Sequence, residues 1–208
     1  MSSVTFDTNS DEIWLQLSSF INNDYGLAGL MGNIWAESGF KPNNVENYGE
    51  THYGWTDDTY TAAVNNGTES FVRIYEFPNN RFHPLGYGIC QWTSVDRKQG
   101  LYDMKVQRGV SIANMHLQID WLKHELSTSY ANVLSVLQNA TSVREASDAV
   151  VIHFEVPAGY DTPEVQELRA SYGQEVYDHY HGSPPTPPVP PIEHRPLPVW
   201  MMTRPLIF

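Results

Sequence analysis

Apolar residues recur at helical spacing over most of this chain. Ile13, Trp14, Leu17, Phe20 and Ile21 lie on one stripe between Asn9 and Asn23, with Asn9 or Ser10 placed to cap the helix they predict. Asp24-Tyr25-Gly26 interrupts the pattern, and a second run follows at Leu27, Leu30, Met31, Ile34 and Trp35. Those positions predict a short helix buried along most of one side. Gly39 and Pro42 supply stop chemistry, a residue that closes a helix and one that cannot continue it. Glu37 and Ser38 therefore fall in the last turn.

The helical pattern returns after Trp92. Thr93 or Ser94 is placed to cap a helix running to about Gln107, Thr93 with Asp96 resembling a capping box. Further helices are predicted at about 111–127, 130–139 and 143–155, the last opened by a Ser142/Glu145 capping box. Thr162-Pro163-Glu164 begins a final helix that reaches about His181. Between Asn43 and Pro84 the pattern disappears into a segment rich in Asn, Gly and Thr. It holds one strand-like run, Phe71 to Tyr75, and a turn at Pro78-Asn79-Asn80. This predicts a small β-containing excursion, about residues 43–90, in a chain that is otherwise mainly α.

Composition narrows the picture. A chain of 208 residues with 41% hydrophobic and 12% aromatic content can bury a full core in one domain. The net charge of −12 is uneven, for residues 1–72 hold ten acids and only Lys41 as a base. Such a balance argues against nucleic acid as a partner, since phosphate affinity comes mainly from Lys and Arg. The single cysteine, Cys90, excludes an internal disulfide. No secretory signal is visible at the N-terminus, and no apolar run approaches the roughly 20 residues of a membrane span. Residues 183–208 open on Ser-Pro-Pro-Thr-Pro-Pro-Val-Pro-Pro, read as an extended linker or tail following a domain at 1–182.

Candidate chemistry centres on Glu37. A carboxylate at a helix C-terminus meets partial negative charge, and apolar neighbours such as Ile34 and Phe40 would add desolvation. Both favour the protonated form that a general acid needs, whereas the bland alternative is a surface glutamate at a frayed end. Ten aromatic residues lie between Tyr48 and Trp92, and two or three are expected to face a ligand while the others form a small core. In Gly86-Tyr87-Gly88-Ile89-Cys90-Gln91-Trp92-Thr93 the glycines permit tight turns, and Gln91 offers both a donor and an acceptor. His179 and His181 are two apart, on different helix sides, and His52 and His83 lack partners at ligand spacing, so neither a metal nor another cofactor is expected. Cys90 reads as a small buried residue rather than a nucleophile.

Glu37-Ser38-Gly39-Phe40-Lys41-Pro42 followed by Gly88-Ile89-Cys90-Gln91 resembles the paired motifs of the lysozyme-like superfamily, which includes goose-type lysozymes and soluble lytic transglycosylases. The longer run from Gly29 to Phe40, then Gly86 to Thr93 with Arg97-Lys98-Gln99, then Ser142 to Ser147 and Phe154-Glu155-Val156-Pro157, is similar to the phage tail lysozyme family. The resemblance covers about residues 10–181. It implies a mainly α, α+β lysozyme-like fold with a cleft between a helical lobe and a small β-containing one. It also implies a peptidoglycan-degrading muramidase, cutting the β-1,4 bond from N-acetylmuramic acid to N-acetylglucosamine, in a phage virion tail or released from the host cell onto the wall. Other tail proteins or a missing C-terminal module would be further partners.

Carried over, Glu37 is the acid, Ser38 and Gln91 contact substrate or orient it, and Tyr87, Trp92 and Thr93 line the cleft. For the second carboxylate the excursion offers Glu46, Glu50, Asp57 and Asp58, with Asp57 or Glu50 preferred, while Glu155 could face the cleft or form a structural ion pair. Val156 departs from the family pattern, where a polar or basic residue is expected, and the segment Arg73 to Pro84 is long. The absence of the Ala-Tyr-Asn-Ala-Gly motif favours hydrolysis over a transglycosylase giving 1,6-anhydro products. A non-catalytic wall-binding module would use the same groove without Glu37.

Overall fold

The computed structural model describes residues 3–181. The proline-rich segment 183–208 lies outside them. The first helix, α1 (Thr8–Ile21), buries Ile13, Trp14, Leu17 and Ile21 as the stripe predicts. Its cap is Asp7 rather than Asn9 or Ser10, since Asp7 accepts from Ser10 N at 3.0 Å while Ser10 Oγ accepts from Asp7 N at 2.8 Å. Helix α2 (Asp24–Ser38) runs through the interior, with every residue from Gly26 to Ile34 buried. A helix that is apolar all round is a core helix. Here three glycines let it touch neighbouring backbones.

Helices α5 (Val95–Arg108), α6 (Met115–Ser127), α7 (Ala131–Asn139), α8 (Val143–Val150) and α9 (Pro163–Tyr180) follow near the predicted bounds. Their caps are Ser94, Asn114, Ser142 and Thr162 for α5, α6, α8 and α9, each side chain accepting from a backbone N–H of the first turn. Ser94, not Thr93, caps α5, which leaves Thr93 free. Helix α8 does not continue regularly to Glu155. It widens into a π-helical turn at Val151–Glu155, ended by Val156 in the left-handed region at φ 46°.

The excursion departs most from expectation. Its first half is helical, α3 (Asn47–Tyr53) and α4 (Asp57–Asn65). Both are short and bury few residues, Gly49 in α3 and Tyr60 and Val64 in α4, too few for periodicity to register. Strand β1 is Tyr75–Phe77, and it pairs antiparallel with β2, Arg81–His83, across Pro78–Asn80. The strand starts at Tyr75 because the in-out alternation is there, with Tyr75 and Phe77 buried and Glu76 exposed. Phe71 instead packs in the core, 4.0 Å from the Nζ of the fully buried Lys98 on α5. Lys98 also donates to Leu85 O and the Tyr60 hydroxyl, which ties the lobe to the helices.

The closest packing is of α2 on its neighbours. A Cβ at Gly26 would stand 1.9 Å from Leu137 O in α7, and one at Gly29 2.6 Å from the Ala146 Cβ in α8. At Gly32 it would stand 2.3 Å from Gly173 N and 2.8 Å from Arg169 O in α9. Apart from the Ala146 Cβ these contacts are with backbone, which yields only if whole helices move. Alanine in a helix is otherwise favoured over glycine by about 1 kcal/mol. Gly32→Ala is therefore expected to destabilise by about 1–3 kcal/mol in urea unfolding despite that gain. A more stable variant would show that α2 and α9 do not touch in this way.

Candidate active site

The end of α2 positions Glu37. Gly39 at φ 59° and Phe40 at φ 64° reverse the chain, and Phe40 folds into the core. Ser38 Oγ then donates to Ile89 O at 2.9 Å, joining the helix end to the Gly86–Thr93 segment. That segment lies beside residues 44–46: Val45 bridges Tyr87, Gly88 N donates to Asn44 O at 2.8 Å, and Gln91 Nε2 donates to the same carbonyl at 3.0 Å. From α6, the fully buried Gln118 accepts from Ile89 N at 3.0 Å and donates to Pro42 O at 2.6 Å. Gly88 is required here twice over, by its φ of 79° and because a Cβ would meet Gln118 Oε1 at 2.6 Å.

Between this segment, the hairpin and the turn after α8 lies a cleft of about 600 Å³, a size suited to a small-molecule or oligosaccharide site. Its carboxyl groups are Glu37, Glu46 and Glu155. Asn44, Asn47, Gln91 and Thr93 add amide and hydroxyl groups, and Arg81, His83, Arg97 and Tyr48 complete much of the polar lining. Pro157 and Ala158 form the rim beside Val156.

The charges under the cleft are arranged in pairs. Glu37 Oε1 accepts from Arg169 Nη2 at 2.5 Å, with side chains only 16% and 9% exposed. Arg169 Nη1 also donates to Asn33 Oδ1 at 3.2 Å, and Asn33 Nδ2 donates to Gly29 O at 2.9 Å and to Ser147 Oγ at 3.1 Å. Arg97 meets Glu125 through two bonds, Nε to Oε1 at 2.7 Å and Nη2 to Oε2 at 3.0 Å. Trp92 Nε1 donates to the same Glu125 at 2.8 Å. Hydrogen bonding to Glu125 raises the Arg97 pKa above the usual guanidinium value, and burial, which opposes it, is outweighed. Among the described residues Glu155 has no such partner: its Oε1 is buried without a hydrogen bond. Burial first, then the neighbouring Glu37, pushes its carboxyl well above the usual range.

Several expectations are corrected. Glu37 does not sit among apolar side chains, for Ile34 and Phe40 are turned into the core and a guanidinium meets it instead. Ser38, Tyr87 and Trp92 do not line the cleft. Ser38 is bonded to backbone, Tyr87 is fully buried with its hydroxyl on Thr61 Oγ1 at 2.6 Å, and Trp92 is fully buried on Glu125. Gln91 and Thr93 do line it. Asp57 lies away from the cleft with Oδ1 accepting from Val45 N at 2.8 Å, and Glu50 is exposed on α3. Asp58 is tied to Asn43 at 3.1 Å.

Of the ten aromatic residues only Tyr48 faces the cleft, as Tyr60, Phe71, Tyr75, Phe77, Tyr87 and Trp92 are core. Cys90 is buried, and burial pushes its thiol up, away from a reactive thiolate.

Sequence reasoning missed Arg169, Asn33 and Gln118. Each is a polar residue inside an apolar helical face, a pattern that marks a buried bond without naming its partner. Among the described residues no group of three His, Cys, Asp or Glu side chains is placed to hold a metal. No helix there is long and apolar enough to cross a membrane.

Comparison with known proteins agrees with this architecture. The sequence model described as phage tail lysozyme matches residues 8–180. No curated protein and no solved structure gives a match. The match spans α1 to α9 and includes all the cleft residues, and the mainly helical fold with one two-stranded sheet is that of a lysozyme-like protein. The chain belongs to the phage tail lysozyme family, phage enzymes that break down bacterial peptidoglycan.

Proposed function

We propose that the protein is a muramidase, hydrolysing the β-1,4 bond between N-acetylmuramic acid and N-acetylglucosamine in the bacterial wall at the phage tail. The observation that carries this reading is the cleft carboxyl Glu37, held at the end of a buried helix in a cleft that a second carboxyl, Glu46, also lines among amide and hydroxyl groups. Glu37 protonates the glycosidic oxygen as the bond to the anomeric carbon breaks. Arg169, its ion-pair partner, fixes the direction of the carboxyl, and orientation of this kind is a large part of catalysis.

Glu46 takes the proton of the attacking water. Its Oε2 is held by Gly86 N at 2.9 Å, which leaves the other oxygen available to the cleft. A base of this kind favours hydrolysis over attack by the sugar's own 6-hydroxyl. Asn44, Asn47 and Gln91 supply the amides that meet sugar hydroxyls, and Tyr48, its ring stacked on Phe77 at 4.5 Å and on His52 at 3.8 Å, lines the cleft beside them.

Purified peptidoglycan digested by the protein is expected to release fragments with reducing ends, read by mass spectrometry. Fragments lighter by one water would assign a lytic transglycosylase instead. Glu37→Gln is expected to lower the rate by about 10²–10⁴-fold while still sedimenting with cell walls. Equal activity in that variant would remove Glu37 from the mechanism. Glu46→Gln is expected to lose about 100-fold or more, whereas Glu50→Gln keeps the parent rate. The reverse ranking in the same assay would move the base to α3.

A further inference from the structure

Two carboxyls, Glu37 and Glu155, line the same cleft, and a third, the buried Glu125, is joined to the cleft residue Arg97 as Arg169 is joined to Glu37. Both cations are committed. Arg97 is bonded twice to Glu125, and Arg169 to Glu37 and Asn33. Glu155 is left over, and its Oε1 is buried with no donor within reach. An unpaired buried carboxylate is costly, and the ordinary resolution is a proton. Glu155 is no accident of the core, because it lines the same cleft as Glu37 and is brought there by the π turn that Val156 ends in the left-handed region.

We propose that Glu155 is the proton-holding partner of Glu37: the two carboxyls share one proton, which rests on Glu155 while Glu37 pairs with Arg169. The proposal builds on the reading of Glu37 as the acid. When Glu37 acts, the shared proton passes from Glu155 to Glu37 and on to the glycosidic oxygen. Arg169 and Arg97, which both lie near Glu155, then face the carboxylate left behind. The proton that water gives to Glu46 returns through solvent to restore the pair, so protons balance over the cycle.

The groups that face Glu155 are Glu37 from α2, Arg169 from α9, Arg97 from α5, Glu125 from α6 and the Cys90 thiol. Among these, burial and the two other carboxyls favour the protonated form, and the two arginines oppose it. Two carboxyls that share a site and differ in surroundings divide the roles of proton holder and ion, as interacting pairs of titrating groups do. Glu155 is thus a positioning residue for the proton and need not touch substrate.

The sign of the expected pH effect follows from the sharing. While the pair holds one proton, the fraction with that proton on Glu37 does not change with pH, and activity is flat. In Glu155→Gln the neutral shape of the protonated side chain is kept, but Glu37 must draw its proton from solvent. Activity of the variant then falls as pH rises where that of the parent stays flat. The acid limb moves down by about one unit or more, activity at pH 7 falls about tenfold or more, and at low pH the variant approaches the parent.

Peptidoglycan turnover from pH 4 to 8 by the full chain, by Glu155→Gln and by Glu37→Gln provides the test. An acid-shifted profile for Glu155→Gln, with the rate of Glu37→Gln lowered about 10²–10⁴-fold at every pH, supports the proposal. A Glu155→Gln profile parallel to the parent at every pH overturns it in favour of a structural role. Loss at every pH overturns it as well, and moves the acid itself to residue 155.

A second readout is independent of turnover and of whether the variant is active. The infrared carbonyl band of a protonated carboxylic acid is expected in the parent protein at pH 7 and is lost in Glu155→Gln. Absence of that band from the parent, with the rate of Glu37→Gln lowered, overturns only the shared proton. A Glu37→Gln rate equal to the parent's overturns the reading of Glu37 and this proposal with it.

Discussion

The backbone contact of α9 with α2 at Gly32 is the constraint on which the site depends. Gly32 has no side chain, so the Arg169 carbonyl and Gly173 can lie against it. With the helices that close, the guanidinium of Arg169 reaches Asn33 and then Glu37 on the next turn of α2. A larger residue at position 32 would move the cation along with the helix that carries it. The same contact thus packs the core and directs the carboxyl, and Gly29 repeats the device one turn earlier against Ala146 and Ser147, where Asn33 finds its other partner.

Burying charge is costly, and this fold meets that cost by pairing the two arginines beside the cleft, Arg97 and Arg169, beforehand. Arg97 is bonded to Glu125 and lies 4.4 Å from the ring centre of Phe154 and 5.2 Å from that of Tyr130, which suits a guanidinium more than an ammonium. Satisfied networks of this kind rigidify their surroundings. The strained backbone lies in the same place: Gln91 at φ 43° and Val156 at φ 46° are left-handed without being glycine, and both line the cleft. Such residues cost about 1–3 kcal/mol each and persist only where neighbours hold them. Here they turn Gln91 toward Asn44 and end the π turn that carries Glu155.

The cleft and the small lobe divide the polar and aromatic residues between them in a way that follows from size. The lobe consists of two short helices and a hairpin of two three-residue strands, which offer little regular surface to bury. Large rings fill it instead: Tyr60, Phe71, Tyr75, Phe77 and Tyr87 are buried there, with Tyr60 and Phe71 against the buried Lys98. The polar residues of the same segment are left at the surface, where Asn44, Asn47 and Tyr48 face the cleft.

Local chemistry was enough to mark the helices and Glu37. A 3.6-residue apolar period, a capping side chain and a glycine stop are properties of neighbours in sequence, and they survive folding unchanged. The paired motifs around Glu37 and Gln91 were legible for the same reason, and so was the family. Their meaning was not: Ser38, Tyr87 and Trp92 serve the packing that brings the two segments together, while Gln91 and Thr93 reach the cleft. The helices α3 and α4 escaped because they bury too little to leave a pattern. The pairing of Arg169 with Glu37 and of Arg97 with Glu125, and the lack among the described residues of a hydrogen-bond partner for Glu155 Oε1, depend on residues 132 and 28 positions apart, or on contacts never made. No local pattern encodes which distant charge a buried group will meet. The sequence by itself determined where the carboxyl stands on its helix, and only the tertiary structure decided what surrounds it.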